Sequence, residues 1–97
     1  MTITDVQIKT VRPQNGLVAF ATIVIDGSLR LNSIAVYQRL DGHGWRLTYP
    51  TKRAGLHDLN IYHPLTPEAS EAIEQAIFDD MKEVIESSND RYNRAHT

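Results

Sequence analysis

The chain has 97 residues, of which 41% are hydrophobic and 23% are charged, and its formal net charge is −2. This size and composition favour a single globular domain with a small core and exclude an intrinsically disordered chain. The absence of cysteine excludes disulfides, thiolate nucleophiles and cysteine-based zinc sites. Because the chain shows neither a signal-peptide pattern at its start nor the run of ~20 apolar residues that a membrane helix needs, we expect a cytoplasmic protein.

Charge is unevenly distributed along the chain. Residues 1–65 contain seven Lys or Arg against four Asp, which leaves +3. Residues 66–97 contain three Lys or Arg against eight Asp or Glu, which leaves −5. This asymmetry predicts a molecule with one cationic and one anionic side, and any contacts with phosphate would then lie in the first part of the chain.

The first part of the chain carries the patterns of β-strands separated by tight turns. Val6 and Ile8 alternate with polar residues, as in a half-buried strand. Asn15-Gly16 then predicts a hairpin turn, because both residues tolerate positive φ. Residues 17–25 form an almost unbroken apolar run rich in β-branched residues, which predicts a central strand buried on both faces. Asp26-Gly27 predicts a second hairpin turn.

Three further strand segments are expected before the helix. Residues 29–38 predict a third strand whose apolar residues change phase midway, so we expect a bulge near Asn32-Ser33. Residues 45–49 predict a short fourth strand, and residues 50–57 predict a loop. A short fifth strand is expected over residues 58–62.

One helix is predicted at the C-terminal end. Thr66 is a suitable N-cap and Pro67 suits the first helical position. Apolar residues then repeat at three- and four-residue spacing and form one stripe, made of Ala69, Ile73, Ala76, Ile77, Met81, Val84 and Ile85. The pattern ends near Ser87, and we expect residues 89–97 to form a frayed tail. The sequence therefore predicts one domain over residues 1–88, an α+β fold with an antiparallel sheet of four to five strands and one C-terminal helix.

Three short motifs occur along the chain in a characteristic order. Thr4-Asp5-Val6 is followed by Ile8, and Pro50-Thr51-Lys52-Arg53 lies in the middle of the chain. His63-Pro64-Leu65 stands directly before the predicted helix. In order and spacing, residues 1–85 resemble the SpoVG (septation protein G) family of bacterial proteins. The resemblance implies a strand-rich homodimer that binds DNA or RNA and regulates gene expression or cell division, including septation and sporulation. It also implies that the basic segment and the start of the helix take part in binding.

The chain also departs from the family pattern, which indicates a divergent member. Asn32-Ser33 stands where the family usually has His-Asp, and residues 54–60 replace a family segment that is one residue longer. Relatives often place Arg or Lys in the first helical turns, where this chain has Glu68, Glu71 and Glu74. Nucleic-acid affinity could therefore differ from that of the relatives.

Four basic residues are the candidates for contact with nucleic acid. Lys52 and Arg53 form a pair that can neutralise two phosphates and release their counterions. Arg39 and Arg46 flank the predicted turn at residues 41–44 and could extend the same basic surface. The alternatives are a solvated pair without a partner for Lys52 and Arg53, and protection of an edge strand for Arg46.

Aromatic residues near these positions have two possible roles. Tyr37, Trp45 and Tyr49 could stack on unpaired bases, as aromatic residues do in proteins that bind single strands. Because the three are scattered over neighbouring strands, we expect packing in the core or in a dimer interface instead.

The sequence predicts no catalytic site, no metal site and no cofactor. His57 and His63 are six residues apart, a spacing that fits no established metal site even with Asp58 between them, so we expect His63 to form a hydrogen bond in its loop. The motifs of activated nucleophiles, zinc proteases and phosphate-binding loops do not occur. We therefore expect a binding protein and not an enzyme.

The leading hypothesis is a homodimeric regulator that binds DNA or RNA. The alternative is a dimeric protein-interaction module that has lost nucleic-acid affinity, which the acidic start of the helix favours. A small hydrolase or ligand-binding protein ranks third.

Overall fold

Six strands and one helix make up the computed structural model, which describes the backbone of residues 1–95 and the side chains of residues 1–86. The strands are β1 (Ile3–Gln14), β2 (Leu17–Ile25), β3 (Leu29–Gln38), β4 (Trp45–Thr48), β5 (Thr51–Ala54) and β6 (His57–Asn60), and the helix is α1 (Pro67–Ala95). Strands β1 to β4 form a four-stranded antiparallel sheet in chain order, and β5 pairs with β6 in a separate two-stranded sheet. The predicted α+β fold with an antiparallel sheet and one C-terminal helix is confirmed.

Turn chemistry sets the first two hairpins. Gln14 pairs with Leu17, so Asn15-Gly16 forms a two-residue turn in which both residues have positive φ. This is the backbone that a hairpin with right-handed strand twist requires. Asp26-Gly27 also has positive φ at both residues and joins β2 to β3. Both predicted hairpins are therefore confirmed.

Two β-bulges flank the middle of β2. Asn32 and Ser33 lie between the pairs that β3 forms with β2 and together oppose one residue of β2, which confirms the predicted bulge. A second bulge in β1 contains Asp5, and both Asp5 and Ser33 have positive φ. Bulges increase local twist and change where side chains point, so these two positions alter the register on both sides of the central strand.

The core lies between α1 and one face of the four-stranded sheet. Its buried side chains are Ala19, Ala21, Ile23, Ile34, Val36, Ile73, Ile77 and Met81. Thr66 caps the helix as predicted, since its Oγ1 accepts a hydrogen bond from the Ala69 amide at 3.1 Å. The predicted apolar stripe faces the sheet, although Ile85 is 41% exposed.

The helix is longer than the apolar pattern indicates. Its backbone continues to Ala95, beyond the predicted end near Ser87. The prediction of a frayed tail over residues 89–97 falls where the side chains lie outside the described residues, so it stays a prediction. Over the described part of the chain, no helix combines the length and the apolar character needed to cross a membrane.

The segment after β4 differs from the prediction. A loop was expected over residues 50–57, but Thr51–Ala54 forms a strand that pairs with His57–Asn60. Gly55-Leu56 is the turn, and the positive φ of Gly55 at its first position matches a type II′ hairpin. We call residues 51–60 the β5–β6 hairpin. All of its strand residues are exposed, so it projects from the body of the protein.

Candidate nucleic-acid interface

Lys52 and Arg53 lie in β5 on the β5–β6 hairpin and not in a loop as predicted. They are consecutive strand residues, so their side chains project from opposite faces of the hairpin. Arg53 Nη1 lies 4.0 Å from Asp58 Oδ1, and Arg53 Nε donates a hydrogen bond to the Gly55 carbonyl at 3.3 Å. An ion pair this long and exposed contributes little, and the guanidinium stays accessible to a phosphate.

Lys52 is the less restrained of the two basic residues on the hairpin. It pairs across the strands with Leu59, and none of the ion pairs found among the described residues involves it. Its ammonium group is therefore open to an external anion, which fits the predicted phosphate contact.

Arg39 and Arg46 come together at the far side of the sheet from β1. Both line one shallow surface depression, which also contains Leu40 and Asp41. Arg39 Nε lies 3.8 Å from Asp41 Oδ1, and the guanidinium carbon of Arg46 lies 4.6 Å above the centre of the Tyr37 ring. The cation–π contact holds the Arg46 guanidinium over the sheet. Arg46 also lies in β4, an edge strand, which is the position that the alternative role of protecting an edge strand requires.

The four-stranded sheet has one face without a helix, which we call the open sheet face. The strand register places on this face Lys9, Phe20, Thr22, Arg30, Tyr37 and Arg46. Its one carboxylate among the described residues is Asp5, whose Oδ2 lies 2.9 Å from Arg30 Nη2. Neither Lys9 nor Arg46 takes part in an ion pair with the side chains that the structure describes, so the face is cationic.

Most of the carboxylates lie on the other side of the molecule. Residues 66–86 carry seven of them, all in α1, and α1 packs on the opposite face of the sheet. The charge asymmetry along the chain thus becomes an asymmetry between two sides of the fold, which favours phosphate contacts at the sheet and the hairpin.

Trp45 and Tyr49 point into the protein, as the packing interpretation predicted. The Trp45 ring lies 5.8 Å from the Phe78 ring of α1, and the Tyr49 ring meets the Tyr62 ring edge-on at 6.1 Å. Tyr62 donates a hydrogen bond to the Asn32 carbonyl, whereas the buried Tyr49 hydroxyl has no hydrogen-bond partner among the described residues. Only Tyr37 of the three predicted aromatic residues lies on the open sheet face.

The buried position of Tyr49 makes its hydroxyl a weaker acid than that of an exposed tyrosine. Burial, followed by the nearby Glu74 carboxylate and Tyr62, raises the pKa of Tyr49 to about 12 from an ordinary value of 10.0. The unfolded chain therefore loses this proton at lower pH than the folded protein does. Stability should fall as the pH rises from about 10 to about 12.

Tyr49→Phe should remove much of this alkaline loss of stability. At neutral pH it should leave the free energy of unfolding unchanged or slightly higher, because the lost hydroxyl has no partner. Tyr62→Phe is the matched control, and loss of its hydrogen bond should cost about 0.5–1.5 kcal/mol at neutral pH. Urea melts between pH 7 and 11 measure both effects. Equal losses at neutral pH would show that the Tyr49 hydroxyl is hydrogen-bonded in solution.

The histidines do not assemble a metal site. Among the described residues, no three His, Asp or Glu side chains converge as metal ligands, and this includes His57, Asp58 and His63. His63 Nδ1 lies 3.0 Å from the Pro64 carbonyl, which is the local hydrogen bond expected for this loop.

Sequence reasoning missed Phe20 and Lys9 as surface candidates. The run over residues 17–25 was interpreted as buried on both faces, but Phe20 is 38% exposed. Lys9 is its direct cross-strand neighbour. The available signal was the alternation in β2, where Ala19, Ala21 and Ile23 take one face and leave Phe20 on the other.

Together, an antiparallel sheet with a helix on one face, a cationic open face and a projecting hairpin define a small α+β domain whose basic groups and most of whose carboxylates lie on different sides. A family model described as SpoVG matches residues 1–83. The chain is also 31% identical over 80 residues to a protein of Treponema denticola, covering 81% of this chain and 84% of that protein. It is 31% identical over 90 residues to a protein of Finegoldia magna, covering 92% of this chain and 82% of that protein. Both relatives are provisionally named septation protein SpoVG. This chain belongs to the SpoVG family.

Proposed function

We propose that this protein is a homodimeric, cytoplasmic regulator that binds DNA or RNA and acts in gene regulation or cell division, without catalysis. The observation that carries the proposal is the β5–β6 hairpin, which projects Lys52 and Arg53 away from the body of the protein. Arg39 and Arg46 add a second pair of cations in one depression. A role in septation is supported by the names of the two relatives.

The charge distribution explains how a protein with a net charge of −2 can bind a polyanion. The carboxylates of α1 lie on the helix side of the sheet, and the Debye length at physiological salt is about 8 Å, so those farther than this from the hairpin repel a phosphate there only weakly. The cations at the interface then act locally by displacing counterions from the phosphates.

A binding assay with pooled DNA and RNA oligonucleotides at several salt concentrations tests this function. Binding should weaken in a straight line when the logarithm of the association constant is plotted against the logarithm of the salt concentration. Wild-type protein that binds neither pool at low salt would overturn the proposal.

The dimer is supported by apolar side chains that the monomer leaves exposed. Leu56, Leu59 and Ile61 lie on or next to the β5–β6 hairpin, and Leu56 is 89% exposed. An isolated two-stranded hairpin is marginally stable in water, so contact with a second copy would stabilise it. A contact through the Leu59 face of the hairpin leaves free the open sheet face and the hairpin face with Arg53, and Lys52, which pairs across from Leu59, lies at the margin of the contact.

Sedimentation equilibrium at micromolar concentration should give twice the chain mass of 11.0 kDa. Leu59→Glu/Ile61→Glu should shift the protein towards monomer, because it places carboxylates in the proposed apolar contact. Leu40→Glu is the matched control, since Leu40 is fully exposed in the β3–β4 loop and should leave the mass unchanged. A monomer at all concentrations would contradict the proposed dimer.

A protein-interaction module is the second candidate function. Glu68 and Glu71 lie exposed at the start of α1, and Leu65 is exposed immediately before them. An apolar residue beside acidic ones suits a basic protein partner better than a nucleic acid. Absence of nucleic-acid binding in the assay above would favour this candidate.

A further inference from the structure

An exposed aromatic ring lies at the centre of the open sheet face. Phe20 belongs to β2, an interior strand of the sheet, and it is 38% exposed. Its cross-strand neighbours are Lys9 on β1 and Ala35 on β3. Ala35 is a small side chain that can cover little of the Phe20 ring, which keeps an exposure of 38%.

Two cationic side chains lie on the same face as this ring. Lys9 is directly opposite Phe20, a position at which Cβ atoms lie about 4.5–5.5 Å apart. Arg46 lies on the same face, over Tyr37, which is two residues beyond Ala35 along β3. Tyr37 is about 7 Å along β3 from Ala35 and one strand, about 5 Å, across from β2, so the Arg46 guanidinium offers a second planar surface within reach of a base next to the one on Phe20.

The face fits a nucleic acid better than a second copy of the chain. Two copies packed face to face would bring Lys9 and Arg46 of one against the cationic groups of the other. The one carboxylate of this face, Asp5, already pairs with Arg30 at 2.9 Å. Phosphate supplies the missing negative charge, and nucleobases supply flat apolar surfaces.

The same geometry favours unpaired bases over a duplex. Bases within a duplex stack on each other and are not free to stack on an aromatic side chain of a sheet. Unpaired bases can stack on an aromatic side chain while basic side chains follow the backbone.

We infer that the open sheet face binds single-stranded nucleic acid, with a base stacked on Phe20, a second base on the Arg46–Tyr37 pair and phosphate contacted by Lys9. This inference rests on the proposed nucleic-acid-binding function and assigns it a substrate class. In this arrangement the open sheet face binds unpaired bases, whereas the β5–β6 hairpin makes separate phosphate contacts.

Fluorescence anisotropy with a labelled single-stranded oligothymidine and with a duplex of equal length tests the inference. Phe20→Leu should weaken binding of the single strand about 5- to 100-fold, the effect of losing one stacked base, and should leave duplex binding unchanged. Phe20→Tyr keeps an aromatic ring at this position and should bind the single strand as tightly as the wild type does. Lys9→Ala should lower the salt slope on the single strand by about 0.7.

Phe78→Leu is the matched control, because it makes the same change on the helix, where Phe78 packs against Trp45. It should lower stability in urea melts and leave single-strand affinity unchanged. Single-strand binding by Phe20→Leu equal to that of the wild type would overturn the inference and leave the proposed function intact. Conversion of the dimer to a monomer by Phe20→Leu would also overturn it, since the face would then contact a second copy. Wild-type protein that binds neither probe would instead overturn the proposed function.

Discussion

Ile77→Ala should lower the free energy of unfolding by about 2–4 kcal/mol. Ile77 is 0% exposed and lies in the middle of the helix stripe that covers the sheet. Removing three carbon atoms there loses their transfer free energy and leaves a cavity that a small core fills poorly. Because a domain of this size is stable by only ~5–15 kcal/mol, the loss is a large share of the total.

Urea melts and thermal melts followed by circular dichroism measure this loss, and the midpoint temperature should fall by at least about 8 °C. Ile85→Ala is the matched control, because it makes the same change on the same helix at a residue that is 41% exposed. It should cost less than about 1 kcal/mol. Similar losses at the two positions would show that the helix does not pack on the sheet through the face that contains Ile77.

The elements that sequence analysis predicted correctly depend on local chemistry. Asn15-Gly16 and Asp26-Gly27 determine their turns because few other residues accept positive φ. The change of apolar phase in the third strand required an extra residue, and the bulge at Asn32-Ser33 supplies it. Thr66 could be predicted as the cap because its hydroxyl can accept a hydrogen bond from the amide three residues later, here that of Ala69.

The β5–β6 hairpin could not be predicted in the same way because it buries nothing. A strand is recognised by the alternation of apolar and polar residues, which exists only where one face meets a core. All four residues of Thr51–Ala54 are exposed, so this segment has the composition of a loop. Gly55 was the one available signal, and a lone glycine also occurs in loops.

The exposure of Phe20 was missed for a different reason. An apolar run has the same pattern whether it is covered on both faces or on one, because burial of the second face depends on another layer. Here α1 covers the face with Ala19 and Ala21, and no second helix covers the face with Phe20 among the described residues. The candidate site was therefore only partly predicted: Arg39, Arg46, Lys52 and Arg53 were found, whereas Phe20 and Lys9 were not.

Alanine substitution of Lys52 and Arg53 together should lower the salt slope of duplex binding by about 2, since each phosphate contact contributes about 0.9. The loss should be similar for all sequences, because phosphate contacts carry no base information. The two side chains leave opposite faces of the hairpin, so both reach phosphates when the hairpin lies in the major groove between the two backbones, with Lys52 extending from the margin of the proposed dimer contact at Leu59. That groove is about 12 Å wide and admits a two-stranded ribbon.

The single variants Lys52→Ala and Arg53→Ala test this geometry in anisotropy titrations at several salt concentrations. Each should lower the slope by about 0.9 if the hairpin lies between the backbones. Lys82→Ala is the matched control, because it removes one exposed charge from α1 on the other side of the sheet and should leave the slope unchanged. The core should be unaffected, since every strand residue of the hairpin is exposed, and urea melts of the variants should therefore overlay the wild type. A slope that falls for one single variant only would place a single face of the hairpin against the nucleic acid. Slopes equal to that of the wild type in both would remove the hairpin from the interface.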